Sequence, residues 1–168
     1  LDPAGDDLGC VTHSFVRDTG PDGVTGELRL VLDGDFAAAR GAIALVDGLA
    51  TPVTILQASH AGCAGIVFAN EDRVVHNMIG TTIWGTPALD QIDRLPALPA
   101  VSIDVEAGRT LKEQLATARV TARLVARLDT GWYRSKLPEV RIPGSREPER
   151  FVLVGGHYCA WHEGVTDN

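Results

Sequence analysis

The clearest periodicity in the chain lies at residues 120–128, where Val120, Ala122, Leu124, Ala126 and Leu128 alternate with Thr121, Arg123, Val125 and Arg127. A period of two predicts a half-buried strand. Residues 27–32 repeat the pattern, with Leu28, Leu30 and Leu32 expected to share the buried face. Residues 42–46 and 65–70 are short apolar runs, each read as a core strand. Between them, Thr51-Pro52 has the form of an N-cap followed by proline in the first helical position. The helix is expected to stop near Gly62, with Val53, Leu56, His60 and Cys63 close to one face. Strand, helix, strand in that order predicts a parallel crossover. Residues 100–103 form another expected strand, and Asp104 caps a helix whose Leu111 and Leu115 face inward, with Gly108 as a weak point. The Gly-, Asp- and Pro-rich first 25 residues are read as loop around a strand at 11–16. Residues 71–99, broken by Gly80, Gly85, Pro87, Pro96 and Pro99, are read as loops with a short strand at 74–79.

Composition changes after Asp129. The polar and aromatic stretch 131–136 separates the preceding unit from two further expected strands, 139–142 and 150–155, joined by residues 143–148. The organisation predicted is therefore a domain over residues 1–128, with its core in 25–128, followed by 129–168 as a linker and the first strands of a second, incomplete domain. The fold class is α/β: a mixed, partly barrel-like sheet with two principal helices, then a strand pair belonging to another domain. One apolar face of that pair is left uncovered, so it is expected to pack on a neighbouring copy, as a homo-oligomer, or to be poorly ordered.

A chain of 168 residues with 45% apolar content can bury a sizeable core. Its net charge of −7 lacks the basic footprint of a nucleic-acid binder, which leaves peptides or proteins as the expected partners. No run approaches the eighteen or so apolar residues of a membrane span, and residues 1–10 lack a basic-then-apolar leader. A chain starting at Leu1 in place of Met is expected to have lost an upstream stretch, which leaves the compartment open. Cys10, Cys63 and Cys159 are too few and too far apart for a disulfide framework or a Cys-x-x-Cys knuckle, and are read as free, mostly buried thiols. His13, His60 and His76 are read as packing or surface residues, and Trp84 as either core or an exposed binding aromatic.

Chemistry is concentrated at the end. The expected strand 151–154 runs into Gly155-Gly156-His157, which delivers a histidine to the carboxyl end of a strand, where open α/β sheets place their ligands. His157, Cys159 and His162 give His-x-Cys-x-x-His, one possible zinc set of borderline and soft donors. Cys159 beside a histidine is also a possible nucleophile, although no orienting third residue or oxyanion loop is recognisable.

The segment 151–168 resembles the signature of zinc aminopeptidases and glutamate-carboxypeptidase-like peptidases. In that family a strand leads to Gly-Gly-His-x-Asp-Ser-Trp and, in one branch, to an aspartate ten residues after the histidine. His157, Trp161 and Asp167 stand at those spacings here. The resemblance implies that His157 binds one zinc and Asp167 bridges two, a pair that polarises a scissile carbonyl and activates a bound water. Cys159 occupies the position of the family's ligand-orienting aspartate, and a thiol cannot hold an imidazole as a carboxylate does. Residues 41–48, 58–68 and 98–103 resemble in turn a protease-associated domain, whose motifs read Gly-Lys-Ile-x-Leu-Val, Ala-x-x-Ala-Gly-Ala-x-Gly-Val-Ile and Ile-Pro-x-Val-x-Ile. That likeness implies a β/β/α accessory domain over about residues 25–128, inserted before the histidine motif. Together the two likenesses imply the substrate-lid region and first metal-ligand motif of a zinc exopeptidase, inactive in this form. A non-catalytic peptide- or protein-binding module is the alternative.

Overall fold

A computed structural model describes residues 7–157. The chain divides into two units, Leu1–Thr130 and Gly131–Asn168. Among the described residues the first unit holds a six-stranded sheet of β1 (Val11–Thr12), β2 (Val24–Leu30), β3 (Ile43–Asp47), β4 (Gly65–Ala69), β5 (Ala100–Ile103) and β6 (Thr121–Leu124). Its two α-helices are α1 (Pro52–Ala61) and α2 (Val105–Thr117). The strand order is β1-β5-β4-β3-β2-β6. Strands β2, β3, β4 and β5 run parallel, while β1 and β6 join the two ends antiparallel.

The three middle strands are apolar at nearly every position because both faces are covered. Ala44, Val46, Ile66, Phe68 and Ala100 belong to one core, which includes Ile55 and Ala58 of α1. Ile43, Leu45, Val67, Ala69, Val101 and Ile103 belong to the other, with Leu111 of α2 and Ala122 and Leu124 of β6. The β3-α1-β4 crossover is as the sequence predicts, since β3 and β4 pair in parallel from Ile43↔Gly65 to Asp47↔Ala69. Thr51 Oγ1 accepts the Thr54 N–H at 3.2 Å, and Gly62 ends α1 in the left-handed conformation at φ 80°. Asp104 Oδ1 likewise accepts the Ala107 N–H at 2.8 Å to start α2.

The sheet curls. Leu124 lies three strands away from Gly65, about 14 Å across a flat sheet. A Cβ placed on Gly65 would nevertheless sit 3.4 Å from Leu124 Cδ1. The sheet therefore folds over its own α2-side core as a half-barrel, which agrees with the mixed, partly barrel-like sheet expected from the sequence.

Several expectations are corrected. The inward face of α1 is Ile55 and Ala58, while Val53 and His60 are exposed; Cys63, beyond the helix, is buried. Of the alternating leucines in β2 only Leu28 is buried. Val31 turns into the α1-side core instead, and Leu30 and Leu32 are exposed. Residues 74–79 form no strand, only a single bridge between Ser14 and Ile79. The region 71–99 contains a 3-10 turn at Leu89–Arg94 that the pattern does not signal. Helix α2 carries Gly108 against the sheet, so that residue is a point of close approach.

In the second unit, residues 131–157 contain no strand, so the expected strands 139–142 and 150–155 are not formed among the described residues. Val140, Ile142 and Val152–Val154 are all more than four-fifths exposed. The connection between them does turn: Arg150 N–H donates to Glu147 O at 3.1 Å, and the Arg150 guanidinium donates to the Glu147 carboxylate at 2.6 Å. A two-stranded hairpin with nothing to pack on is at best marginal, and these residues find no third strand or helix within the described part of their unit. Among the described residues no helix is long and apolar enough to cross a membrane.

Candidate functional site

The histidine motif begins at Gly155-Gly156-His157, after the exposed run 151–154. His157 is exposed as well. Cys159, Trp161, His162 and Asp167 lie outside the described residues, so the proposed ligand pair and its His-x-Cys-x-x-His rival both fall largely there. Among the described residues no group of three or more His, Cys, Asp or Glu side chains is placed to hold a metal ion. By themselves, then, the described residues do not make a zinc site.

The first unit contains a buried polar pair that sequence patterns do not reveal. His13, which follows β1, and Ser102 in β5 are both fully buried. The imidazole Nδ1 accepts the Met78 N–H at 3.1 Å, which leaves Nε2 to carry the proton and donate it to Ser102 Oγ at 3.1 Å. Phe68 packs edge-on against the ring, with centroids 6.1 Å apart. Burial holds the His13 pKa at about 4, well below the ordinary 6.5. In that tautomer the ring is a donor to the serine and cannot act as its base, so the pair is a strut and not a nucleophile. It is reinforced by Asn77 Nδ2, which donates to Thr12 O at 2.6 Å, and the two bonds tie the 76–79 loop to the start of the sheet. His13 fits the packing role expected of it. Its partner could not be foreseen, because Ser102 sits 89 residues away.

The other singled-out residues separate cleanly. Cys63 is buried and Cys10 is exposed, which corrects the expectation of burial for the latter. Desolvation by its partly covered setting, and then the Asp7 carboxylate, raise the Cys10 thiol pKa, the opposite of what a reactive thiolate needs. Trp84 is fully exposed, and so is not core. His60 and His76 lie on the surface.

No protein-family profile matches the chain. Among solved structures it is similar to BSAP, a zinc aminopeptidase from Bacillus subtilis, with 22% identity and a TM-score of 0.56. The match covers 74% of this chain and 28% of that one. It is similar also to an aminopeptidase from Aneurinibacillus sp. strain AM-1, with 20% identity and a TM-score of 0.53 over 73% of this chain and 28% of the other. A peptidase M28 precursor from Shewanella amazonensis SB2B matches with 15% identity and a TM-score of 0.50, covering 74% and 34% respectively. The chain therefore has the fold of part of these peptidases and spans about a third of their length or less.

Proposed function

We propose that the chain is the accessory substrate-lid region and first metal-ligand motif of a zinc-dependent exopeptidase, of the aminopeptidase or carboxypeptidase type. One observation carries this reading: a half-barrel sheet with the fold of part of a zinc aminopeptidase is followed, about 30 residues later, by Gly155-Gly156-His157 with Asp167 at the family's spacing. In this reading residues 25–128 are a protease-associated domain that shapes the substrate cleft. His157 and Asp167 are two of the ligands of a two-zinc centre, whose chemistry is Lewis-acid activation of a carbonyl and a water. The remaining ligands and the general base come from sequence beyond Asn168, so the 168 residues alone do not hydrolyse peptides.

The test is zinc-dependent exopeptidase activity, on aminoacyl and peptidyl chromogenic substrates, of the longer protein that this reading requires. Loss of both activity and bound zinc in His157→Ala and in Asp167→Ala is expected. A longer protein lacking further Glu, Asp and His ligands, or one whose zinc content survives both substitutions, would sink the reading. A second reading, a peptide- or protein-binding module from a peptidase homologue without activity, is favoured by Cys159 in the place of the orienting aspartate.

A further inference from the structure

The half-barrel is not closed and its α2-side core is not filled. The sheet curls until Leu124 of β6 reaches Gly65, yet the two end strands, β1 and β6, pair with β5 and β2 and not with each other. A seam is left between them. Inside it lies a cavity of about 150 Å³, lined by Val67, Val101 and Ile103 of the sheet, Leu111 of α2, and Ala122 and Leu124 of β6. None of these six side chains is more than 7% exposed. The cavity meets solvent where its lining is exposed, at Asp7 and Cys10 before β1 and at Arg123 and Val125 on the side of β6.

Composition explains the space. The α1-side core contains Phe36 and Phe68, whereas the α2-side core, among the described residues, is built from Ala, Val, Ile and Leu without an aromatic ring. Nor does a buried polar side chain line the cavity: His13, Asn70, Thr81 and Ser102, the buried polar residues described, all lie elsewhere. An apolar cavity of about this size stays dry and admits a benzene-sized solute. The polar side chains stand at the mouth. There the Arg123 guanidinium is held away by Asp22 O at 2.9 Å and Pro21 O at 3.1 Å, to which it donates. Desolvation, and then Asp7, raise the Cys10 thiol pKa and keep it protonated, so the Asp7 carboxylate is the charge that an entering molecule meets.

We infer that this cavity binds a compact, neutral, apolar molecule of about the size of one aromatic ring. Such a ring supplies the bulk that the aliphatic lining lacks, gains dispersion contacts on every wall and carries no polar atom to be desolvated. A ring bearing a carboxylate is rejected, since it would bury its charge in a dry space or hold it against Asp7. The inference goes beyond the peptidase reading and does not depend on it, because every lining residue belongs to the first unit.

The experiment titrates toluene, with benzoate as the charged arm, into the 168-residue chain and follows methyl resonances and the thermal midpoint. Saturable shifts at Val67, Val101, Ile103 and Leu111 are expected, with Val46 and Ile55 of the α1-side core unmoved. Toluene at ten times its Kd should raise the midpoint by about 4 °C, and benzoate should do neither. Ala122→Leu, which fills the cavity from β6, should weaken toluene by about tenfold or more. Val67→Ile adds a single methylene and should weaken it by a smaller factor, a change mild enough to test the site should Ala122→Leu not fold. Shifts that spread over both cores without saturating, equal binding of benzoate, or toluene affinity unchanged in a folded, filled variant would overturn the inference.

Discussion

Gly108 of α2 lies so close over Ala69 of β4 that a Cβ added at Gly108 would stand 2.5 Å from Ala69 Cβ. In an exposed helix, glycine to alanine is worth up to about 1 kcal/mol of stability. Here the methyl has no space, and overpacking of a rigid helix on a sheet costs about 1–3 kcal/mol. Gly108→Ala is therefore expected to destabilise the first unit by about 1–2 kcal/mol net. Ala69→Gly in the same chain should restore most of the loss. Urea denaturation of both single variants and the double variant measures the coupling; additive losses would show that the two residues do not clash.

The His13 strut makes stability fall in mild acid. The folded-state pKa of about 4 lies below the ordinary 6.5, so between these values the unfolded chain binds the proton first. The contribution is fully present above pH 6.5 and is lost as pH falls toward 4. Its size is at most about 3 kcal/mol. His13→Gln, which can still accept from Met78 and donate to Ser102, should flatten that part of the pH–stability curve. An unchanged slope between pH 4 and 6.5 in the variant would assign it to other groups.

The sequence made legible those elements whose local chemistry and tertiary setting agree. Thr51, Pro52 and Gly62 each act within a turn of their own position, so both ends of α1 could be read from four-residue windows. Strands β3 and β4 are apolar at adjacent positions because they are covered on both faces, and that needs no phase to be guessed. Phase is where the reading slipped. Leu28, Leu30 and Leu32 look equivalent in the pattern, but only Leu28 is buried, while Val31, on the opposite face of the strand, packs into the α1-side core. On α1, Val53 and Leu56 are apolar as well, yet the residues buried in the core shared with Ile66 and Phe68 of β4 are Ile55 and Ala58.

The candidate metal site was legible only as a motif. Of its expected strands, 139–142 alternates and 150–155 carries a continuous apolar run, yet a strand exists only when paired, and the described residues of that unit provide no ladder. Conversely the His13–Ser102 pair has no signature in either local sequence, since it is created by β1 joining the far edge of β5.

Asp18 fastens the loop before β2 to the end of the first unit. Its Oδ2 accepts the Leu128 N–H at 2.6 Å and its Oδ1 accepts the Gly20 N–H at 2.6 Å. These backbone donors, with Arg127 beside them, lower the Asp18 pKa below the ordinary carboxylate value, so the tether is present at neutral pH and lost as pH falls through the lowered value. Asp18→Ala should speed amide hydrogen exchange at Leu128 and Gly20 while leaving Ile66 and Phe68 protected. Asp18→Asn should give an intermediate rate at Gly20. Equal acceleration throughout the sheet would mean that the residue supports global stability and not a local tether.

Zinc affinity separates the competing readings of the last segment. Tight zinc sites use three or four protein ligands, whereas the peptidase likeness assigns only His157 and Asp167 within the 168 residues, and the described residues supply one of them. Two ligands near a chain end must be ordered at an entropic cost that few metal bonds offset. Calorimetric titration of the 168-residue chain is therefore expected to show no tight stoichiometric site, and aminoacyl substrates should remain intact. The rival set His157, Cys159 and His162 offers three donors within six residues and would behave differently. Submicromolar zinc binding that disappears in Cys159→Ser and in His162→Ala, but survives Asp167→Asn, would establish that set and refute the ligand pair proposed above.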